Sequence, residues 1–312
     1  MKEKELYRLI QVAQLYYEEN KTQSEIARDL DIPRPAVSYL LTKARKAGIV
    51  KIDVLSYLST IKGISHELCR RFKLKSCRVV ALPDDLYRIG AEVLLEFLPK
   101  TKILGLGWGY NLEKIIEVVP KQNEEYINGG IICPLIGATS LPQRGYCPDD
   151  LVRELCSKTG CQEKYLNSPA FPTTIEARDK VMASEQMKVI EDCWKKATTA
   201  LITLGSYPSV PDHASAQRFG RKLIEEKAVG CLLSYFFNPL GELIQGEDDF
   251  AIQIPLELLG RVRDVIGFVP QEANVNSVIS GLKTGYFKHL VITEALANTI
   301  IKQTDYNKRV KN

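Results

Sequence analysis

The stretch Thr22-Gln23-Ser24-Glu25-Ile26-Ala27-Arg28-Asp29-Leu30-Asp31-Ile32-Pro33-Arg34-Pro35-Ala36-Val37-Ser38-Tyr39-Leu40-Leu41-Thr42-Lys43-Ala44-Arg45-Lys46-Ala47-Gly48 decides how this 312-residue chain begins. Thr22 and Glu25 have the spacing of a capping box, in which the threonine oxygen accepts from a free backbone N–H and the glutamate reaches back to the cap. The box predicts a short helix over Gln23–Leu30, with Ile26, Ala27 and Leu30 on its buried face. Asp31-Ile32-Pro33 predicts a tight turn, because a residue before proline is steered out of helical geometry. From Arg34 onward Val37, Leu40, Leu41 and Ala44 make a helical apolar stripe reaching about Ala47. Pro35 is tolerated in the first turn and Gly48 ends the helix.

On the N-terminal side, Leu6, Leu9, Ile10, Ala13 and Tyr17 predict an amphipathic helix from about Glu3 to Glu19, broken at Asn20-Lys21. On the C-terminal side, Ile49–Val54 alternates as a short strand in the position of a wing. Helix, capped helix, tight turn, helix and strand together predict a winged helix-turn-helix over residues 1–56. The net charge of +4 says little about partners, but residues 33–51 hold five basic side chains and no acidic one. Arg34, Ala36, Ser38, Tyr39, Thr42 and Lys43 lie off the apolar stripe. In such motifs the start of the second helix of the pair meets base edges in the major groove. Arg34, Ser38 and Tyr39 are therefore expected at base edges, with Ala36 and Thr42 on the same face. Thr22, Gln23, Lys43, Arg45 and Lys46 are expected at phosphates. The competing reading is a three-helix bundle that contacts only protein; the basic face and the tight turn coincide where a DNA reader needs them.

Residues 57–312 read as a second, larger domain. Ser56–Gly63 reads as a linker, followed by a helix over Ile64–Phe72. Short apolar runs then alternate with helical patterns. The expected strands are Arg78–Leu82, Lys102–Leu106, Ile131–Leu135, Ala200–Leu204, Val262–Phe268 and Leu290–Thr293. The expected helices are Arg88–Leu98, Asn111–Val119, Asp149–Lys158, Lys180–Lys195, Asn274–Lys283 and Glu294–Lys302. This alternation implies a mainly parallel α/β sheet covered on both faces, interrupted by a hairpin over Tyr235–Ile244. Ligands of such sheets bind beyond the carboxyl ends of the strands. Three loops there have suitable chemistry: Gly105-Leu106-Gly107-Trp108-Gly109-Tyr110-Asn111, of which Gly107 to Asn111 are the expected contacts, Gly137-Ala138-Thr139-Ser140, and Gly205-Ser206. Their glycines allow close backbone approach, and free N–H groups at a helix start can hold oxygens, which predicts a polyol or phosphate pocket. The first loop lacks G-x-G-x-x-G spacing and an acidic residue at dinucleotide distance, so no nicotinamide cofactor is expected.

Two groups of segments resemble a known family. The first comprises Leu15–Ala27, Arg34–Leu41 and Ala47–Ile52. The second comprises Gly105–Gly109, Pro134–Gly137, Ala200–Ser206, Ala228–Gly230, Phe236–Gly241, Gly285-Tyr286 and Leu290–Thr293. Together they are similar to the SorC family of bacterial sugar-responsive transcriptional regulators, over essentially the whole chain. The resemblance implies an effector domain similar to ribose-5-phosphate isomerase and glucosamine-6-phosphate deaminase, a sugar or sugar-phosphate effector, and a homo-oligomer (dimer or tetramer) on paired operator sites in double-stranded DNA. It also adds Asn238 to the expected effector residues. The chain departs from the family pattern in several places. Pro33 replaces a serine helix cap, Pro270-Gln271 replace a glycine pair, and Asn274 replaces a lysine. Cys231 and Asn238 stand where aspartates are frequent. Ile136 matches a lysine that forms a Schiff base with the effector in one branch. The loss of a cation and of backbone donors points away from a conventional phosphate site.

Composition sets the remaining bounds. The chain is 45% apolar and 26% charged, as for an ordinary globular protein. No apolar run reaches the ~18–20 residues that span a bilayer, and the charged start Met1-Lys2-Glu3-Lys4-Glu5 lacks a secretion signal, so a cytoplasmic protein without membrane contact is expected. The eight cysteines form no CxxC pair, and only three histidines are present, so neither disulfides nor a metal site is expected. Two further readings stay open. An isomerase-like enzyme with a DNA-binding head would need a general base, for which Asp149, Asp150, Glu247, Asp248 and Asp249 are candidates, while His213 and His289 show no partner in the sequence. A large domain that only builds an oligomer, with no ligand, is the other.

Overall fold

The computed structural model describes residues 3–50, 57–121, 130–139, 144–208, 218–246 and 250–311. The chain divides into two compact units, Met1–Tyr57 and Leu58–Asn312.

The first unit is three helices: α1 (Glu3–Tyr17), α2 (Gln23–Asp29) and α3 (Arg34–Lys46). Asn20 at φ 55° ends α1, and the Lys21 N–H donates back to the Leu15 carbonyl at 3.0 Å. The capping box forms as the sequence predicts: Glu25 N–H donates to Thr22 Oγ1 at 3.3 Å, and Thr22 N–H donates to Glu25 Oε2 at 2.8 Å. Pro33 offers α3 no side-chain cap. The turn before it is instead closed by backbone bonds, Ile32 N–H to Ala27 O at 3.0 Å and Ala36 N–H to Pro33 O at 2.8 Å, with Asp31 at φ 51°. Val12, Ile26, Val37 and Leu41 form the core between the helices. Of the strand expected over Ile49–Val54, residues 51–54 lie outside the described residues; Ile49 and Val50 pack beside Leu9, Ala13 and Ala44.

The second unit follows α4 (Tyr57–Phe72) with β1 (Ser76–Val80), α5 (Leu86–Phe97), β2 (Ile103–Leu106), α6 (Tyr110–Val118), β3 (Ile131–Pro134), α7 (Pro148–Thr159), β4 (Gln162–Glu163), α8 (Ile175–Met182), α9 (Glu185–Lys196) and β5 (Thr199–Ser206). After these come α10 (Lys222–Glu225), β6 (Gly230–Leu232), β7 (Tyr235–Phe237), β8 (Leu243–Ile244), α11 (Leu256–Arg261), β9 (Asp264–Phe268), α12 (Val275–Lys283), β10 (His289–Thr293) and α13 (Glu294–Lys311). The parallel strands run in the order β1-β10-β9-β5-β2-β3-β4, and β6, β7 and β8 extend β5 as antiparallel strands. The chain order runs one way from β2 to β4 and the other way from β5 through β9 to β10. The reversal falls between β5 and β2, the place where open α/β sheets bind ligands.

Both faces of the sheet are covered, which is why its strands are continuous apolar runs. One core holds α4, α9, α11, α12 and α13 through residues such as Leu68, Trp194, Leu259, Val278 and Ile300. The other holds α5, α6 and α7 through Leu94, Ile115 and Leu155. Gly105 on β2 is where the layers meet most closely, since a Cβ there would lie 2.3 Å from Leu135 Cδ2.

Two expectations need correction. The linker expected over Ser56–Gly63 is helical from Tyr57, because Ile61, Ile64 and Leu68 keep helical spacing onto the core and Gly63 sits on the exposed face. The single helix expected over Lys180–Lys195 is two, α8 and α9, because Ser184 Oγ accepts the Met187 N–H and starts a new helix.

At the amino ends of β1, β10 and β9, His289, for which no partner was expected, has two. Ser76 Oγ lies 2.7 Å from Nδ1, and Asp264 Oδ1 lies 3.1 Å from Nε2. Lys75 Nζ, at 2.9 Å, and Arg263 Nε, at 2.6 Å, share the same carboxylate, so the node ties three neighbouring strands. Burial opposes the charge on Asp264, but hydrogen bonds from Arg263, Lys75 and His289 outweigh it and hold the carboxyl well below its usual range. Burial lowers His289, against the pull of Asp264, so its imidazole stays neutral at pH 7. Both folded-state values lie below the unfolded ones, so both groups stabilise the domain at higher pH and lose that contribution as pH falls through the folded values. Thermal melts across pH should therefore show one decline starting below ~6.5 and a second below ~4. The first decline should be absent in His289→Gln; an identical profile in that variant would contradict the assignment.

Candidate functional site

Two sites emerge, one in each unit. In the first, α3 buries Val37, Leu41 and Ala44 and leaves Arg34, Ser38, Tyr39, Thr42, Arg45 and Lys46 exposed. Ala36 and Lys43 are half-buried. Tyr39 is 63% exposed. Lys43 Nζ lies 5.8 Å from the Tyr39 ring centroid, which orders both side chains along one face. Thr42 Oγ1 donates back to the Ser38 carbonyl at 2.9 Å. Arg34 borders a groove shared with Thr22, Gln23, Ser24, Tyr16 and Tyr17, so the start of α3 and the start of α2 open on the same side. Thr22 uses both its hydroxyl and its N–H on Glu25 within the capping box, so the phosphate contact expected of it is not available, and Gln23 is left as that loop's donor. With the last turn of α3 supplying Lys43, Arg45 and Lys46, the exposed face carries cations at both ends and polar groups between.

The second site is a cavity of about 290 Å³ beyond the carboxyl ends of β2, β5 and β9, at the order reversal. Its volume is at the lower end of small-ligand pockets. The loop after β2 brings Trp108, Gly109, Tyr110 and Asn111. β5 and the loop after it bring Thr203, Leu204, Gly205, Ser206 and Pro208, and the loop after β9 brings Pro270, Glu272 and Ala273. The antiparallel extension closes a further wall with Cys231, Leu233, Ser234 and Phe236. Gly109 at φ 111° turns the chain into α6 and offers no side-chain cap to the first turn, whose residues Tyr110 and Asn111 line the cavity. Trp108 is met edge-on by Tyr146 at 5.7 Å and by Phe171 at 5.9 Å. Burial pushes the Tyr146 phenol up, so it stays protonated. Asn111 Oδ1 accepts from Tyr87 at 2.8 Å, which turns its amide nitrogen to other partners. Thr203 Oγ1 is buried among these residues and has no hydrogen-bond partner among the described residues, a deficit worth about 1–3 kcal/mol.

The start of α12 borders the same cavity. Asn274 N–H donates to Ser206 Oγ at 3.1 Å, and Asn274 Oδ1 accepts from Asn276 N–H at 2.8 Å and Ser277 N–H at 3.4 Å. The Asn276 and Ser277 donors of that first turn are therefore already bonded by the chain itself.

Of the expected effector residues, Trp108, Gly109, Tyr110, Asn111, Gly205 and Ser206 line this cavity. Gly107, Gly137, Ala138, Thr139 and Asn238 are not among its lining residues. Gly107 N–H bonds to Leu201 O, and Gly137 N–H bonds to Ile252 O in a place too tight for a side chain. Ala138 and Thr139 bond to Ser168 and Tyr146 backbones. Asn238 closes the β7–β8 turn, its Oδ1 accepting from Leu240 and Glu242 N–H groups. The sequence reading missed Tyr146, Phe171, Thr203, Leu233, Ser234 and Phe236.

Of the candidates for a general base, Asp149 and Asp150 do not line the cavity. Asp149 accepts from the Leu166 and Asn167 N–H groups and Asp150 pairs with Arg153, while Glu247, Asp248, Asp249 and His213 lie outside the described residues. All eight cysteines are free thiols, and no cluster of metal-binding side chains occurs among the described residues. Among the described residues no helix is long and apolar enough to cross a membrane.

Comparison with known proteins agrees with this division. Residues 59–302 match the family described as "Putative sugar-binding domain", and residues 9–47 match sigma-70 region 4. The chain is 27% identical to the sorbitol operon regulator of Klebsiella pneumoniae, over 94% of this chain and 97% of that protein. It is 26% identical to the deoxyribonucleoside regulator of Bacillus subtilis (strain 168), over 94% and 96%. The crystal structure of the full-length sorbitol operon regulator SorC from Klebsiella pneumoniae superposes with a TM-score of 0.73 at 23% identity, covering 95% of this chain and 99% of that one.

Proposed function

Because this chain belongs to the SorC family of sugar-responsive transcriptional regulators, we propose that α3 reads operator DNA and that the cavity at the sheet's order reversal holds the effector. Arg34, Ser38 and Tyr39 take base edges, with Ala36 and Thr42 beside them. Gln23, Lys43, Arg45 and Lys46 take phosphates. Trp108, Gly109, Tyr110, Asn111, Gly205 and Ser206 contact a sugar-like effector. Residues 1–56 form the DNA-binding domain, and residues 57–312 bind effector and assemble a homo-oligomer on paired sites.

The observation that carries the reading is the pairing, in one chain, of a helix-turn-helix whose second helix exposes its cations with an aromatic-walled cavity at the ligand-binding place of an open α/β sheet. In this reading the large domain performs no turnover, needs no cofactor and acts in the cytoplasm. It works through a coupling free energy, the effector favouring one arrangement of the assembly and with it one operator affinity.

The test is fluorescence anisotropy of the full chain on DNA from upstream of its own gene, with and without a ligand that raises its melting temperature. The ligand should change operator affinity by about 5–150-fold. A ligand that binds and leaves operator affinity unchanged contradicts the coupling.

A further inference from the structure

The structure assigns Ser76 as a nucleophile that accepts an acyl group from an activated ester, with His289 as its general base and Asp264 as the group that orients the base. The site lies at the amino ends of β1, β10 and β9, the far end of the sheet from the cavity at the order reversal. It does not depend on the sensory reading.

The three residues are each the first of their strand, on three neighbouring strands. Ser76 Oγ lies 2.7 Å from His289 Nδ1, and His289 Nε2 lies 3.1 Å from Asp264 Oδ1. Hydrogen-bond chemistry fixes the roles. An ionised carboxylate only accepts, so Nε2 carries the ring proton and donates it to Asp264. The neutral ring then has its lone pair on Nδ1, and the serine hydroxyl donates to it. In that arrangement an imidazole can take a proton from a serine as the serine attacks. Phe97 meets the ring edge-on at 4.7 Å and holds its plane. Burial keeps the imidazole neutral, as a base must be.

The hydroxyl is also within reach of a ligand. Ser76 is exposed and, with His289, lines a cavity of about 280 Å³. Val93, Phe97 and Leu290 give that cavity an apolar wall, which suits a short acyl chain. Of its two cations, Arg78 is paired with Glu96 at 2.8 Å, whereas Lys100 has no ion pair among the described residues. The Lys100 ammonium is therefore available to the carbonyl oxygen that gains charge during attack.

In the step, Ser76 Oγ bonds to the carbonyl carbon as Nδ1 takes its proton. The bond from that carbon to the leaving oxygen then breaks, and Nδ1 returns the proton to that oxygen. The products are an acyl ester at Ser76 and a free alcohol. Lys75 Nζ at 2.9 Å and Arg263 Nε at 2.6 Å share the Asp264 carboxylate, so it orients the ring but offsets little of an imidazolium's charge. A base supported so weakly needs a good leaving group, which is why the donor is an activated ester and not an amide.

The experiment treats the full chain with a fluorophosphonate, whose serine adduct resists hydrolysis, and maps the adduct by peptide mass. Release of nitrophenolate from p-nitrophenyl butyrate reports the acylation rate. The folded chain should carry a phosphonyl group on the peptide holding Ser76, and the chain unfolded in urea should not. H289Q should slow adduct formation about 100-fold or more, and S76A should release nitrophenolate no faster than the unfolded chain. Both variants are checked for a cooperative melt above the assay temperature, and the comparison of folded with unfolded wild type decides even if a variant fails to fold. No adduct at Ser76 in the folded chain overturns the assignment. So does H289Q reacting as fast as wild type, which would leave the three residues as a tie between strands. Neither result touches the sensory reading.

Discussion

Replacing Arg34 with alanine is expected to weaken operator binding by about 5–150-fold for each bound head and to relax base preference at one position of the half-site, the effect of removing one well-placed arginine contact to a base edge. Arg34 is exposed on the first turn of α3, beside Gln23 at the start of α2, where a helix entering the major groove puts its base-reading residues. Lys46→Gln should behave differently. It should weaken binding to operator and to random duplex alike and lower the salt slope by ~1, because a phosphate contact carries no sequence information. Competition with scrambled duplex distinguishes the two. An R34A variant that keeps the wild-type ratio of specific to non-specific affinity would remove Arg34 from the reading face. Thermal melting should be near wild type in both variants, since neither side chain enters the core of the first unit.

The largest effect on stability is expected at Trp194. Its ring is 2% exposed, and its Nε1–H donates to the Pro134 carbonyl at 2.8 Å, tying α9 to the end of β3. Trp194→Ala removes the ring, leaves a cavity and strips a buried carbonyl of its partner. Cavity formation alone costs about 3–5 kcal/mol, and the orphaned acceptor adds about 1 kcal/mol or more. Against the ~5–15 kcal/mol that holds a typical domain folded, this is a large share. The melting temperature of the large domain should fall by ~10–20 °C. Trp194→Phe should recover the packing loss but not the hydrogen bond. A loss of less than ~2 °C in the alanine variant would mean that the α9 layer is not part of the cooperative core.

The sequence showed the framework well because periodicity and caps act locally. Thr22 with Glu25, the proline before Arg34 and the alternation of apolar runs with helical stripes each follow from short-range chemistry, and the matching elements formed within a few residues of their expected ends, except the last helix, which runs on from Lys302 to Lys311. Reading stopped where tertiary contacts decide. Gly63 looked like a linker residue, but the stripe through Ile61, Ile64 and Leu68 carries the helix past it. The glycine loop from Gly105 to Gly109 was legible as half of a pocket, because a glycine-rich turn between a strand and a helix leaves N–H groups uncovered. The opposite wall was not. Tyr146 and Phe171 come from segments outside the expected elements, Leu233 and Ser234 come from the turn between β6 and β7, and Phe236 lies on the expected hairpin, whose contact with the cavity only the tertiary fold decides. Gly137 and Asn238 misled for opposite reasons: the first is a glycine because backbone lies within 2.6 Å of where its side chain would be, and the second closes a turn.

The central claim is that the exposed, cationic α3 grips duplex DNA with base preference. It is tested most directly by measuring affinity for the chain's own upstream DNA and for a scrambled duplex of equal length, at a series of salt concentrations from 50 to 200 mM. Specific binding should be ~10³-fold or more tighter than binding to the scrambled duplex, and both affinities should fall steeply as salt rises. Equal affinity for the two duplexes, or an affinity that salt leaves unchanged, would contradict it.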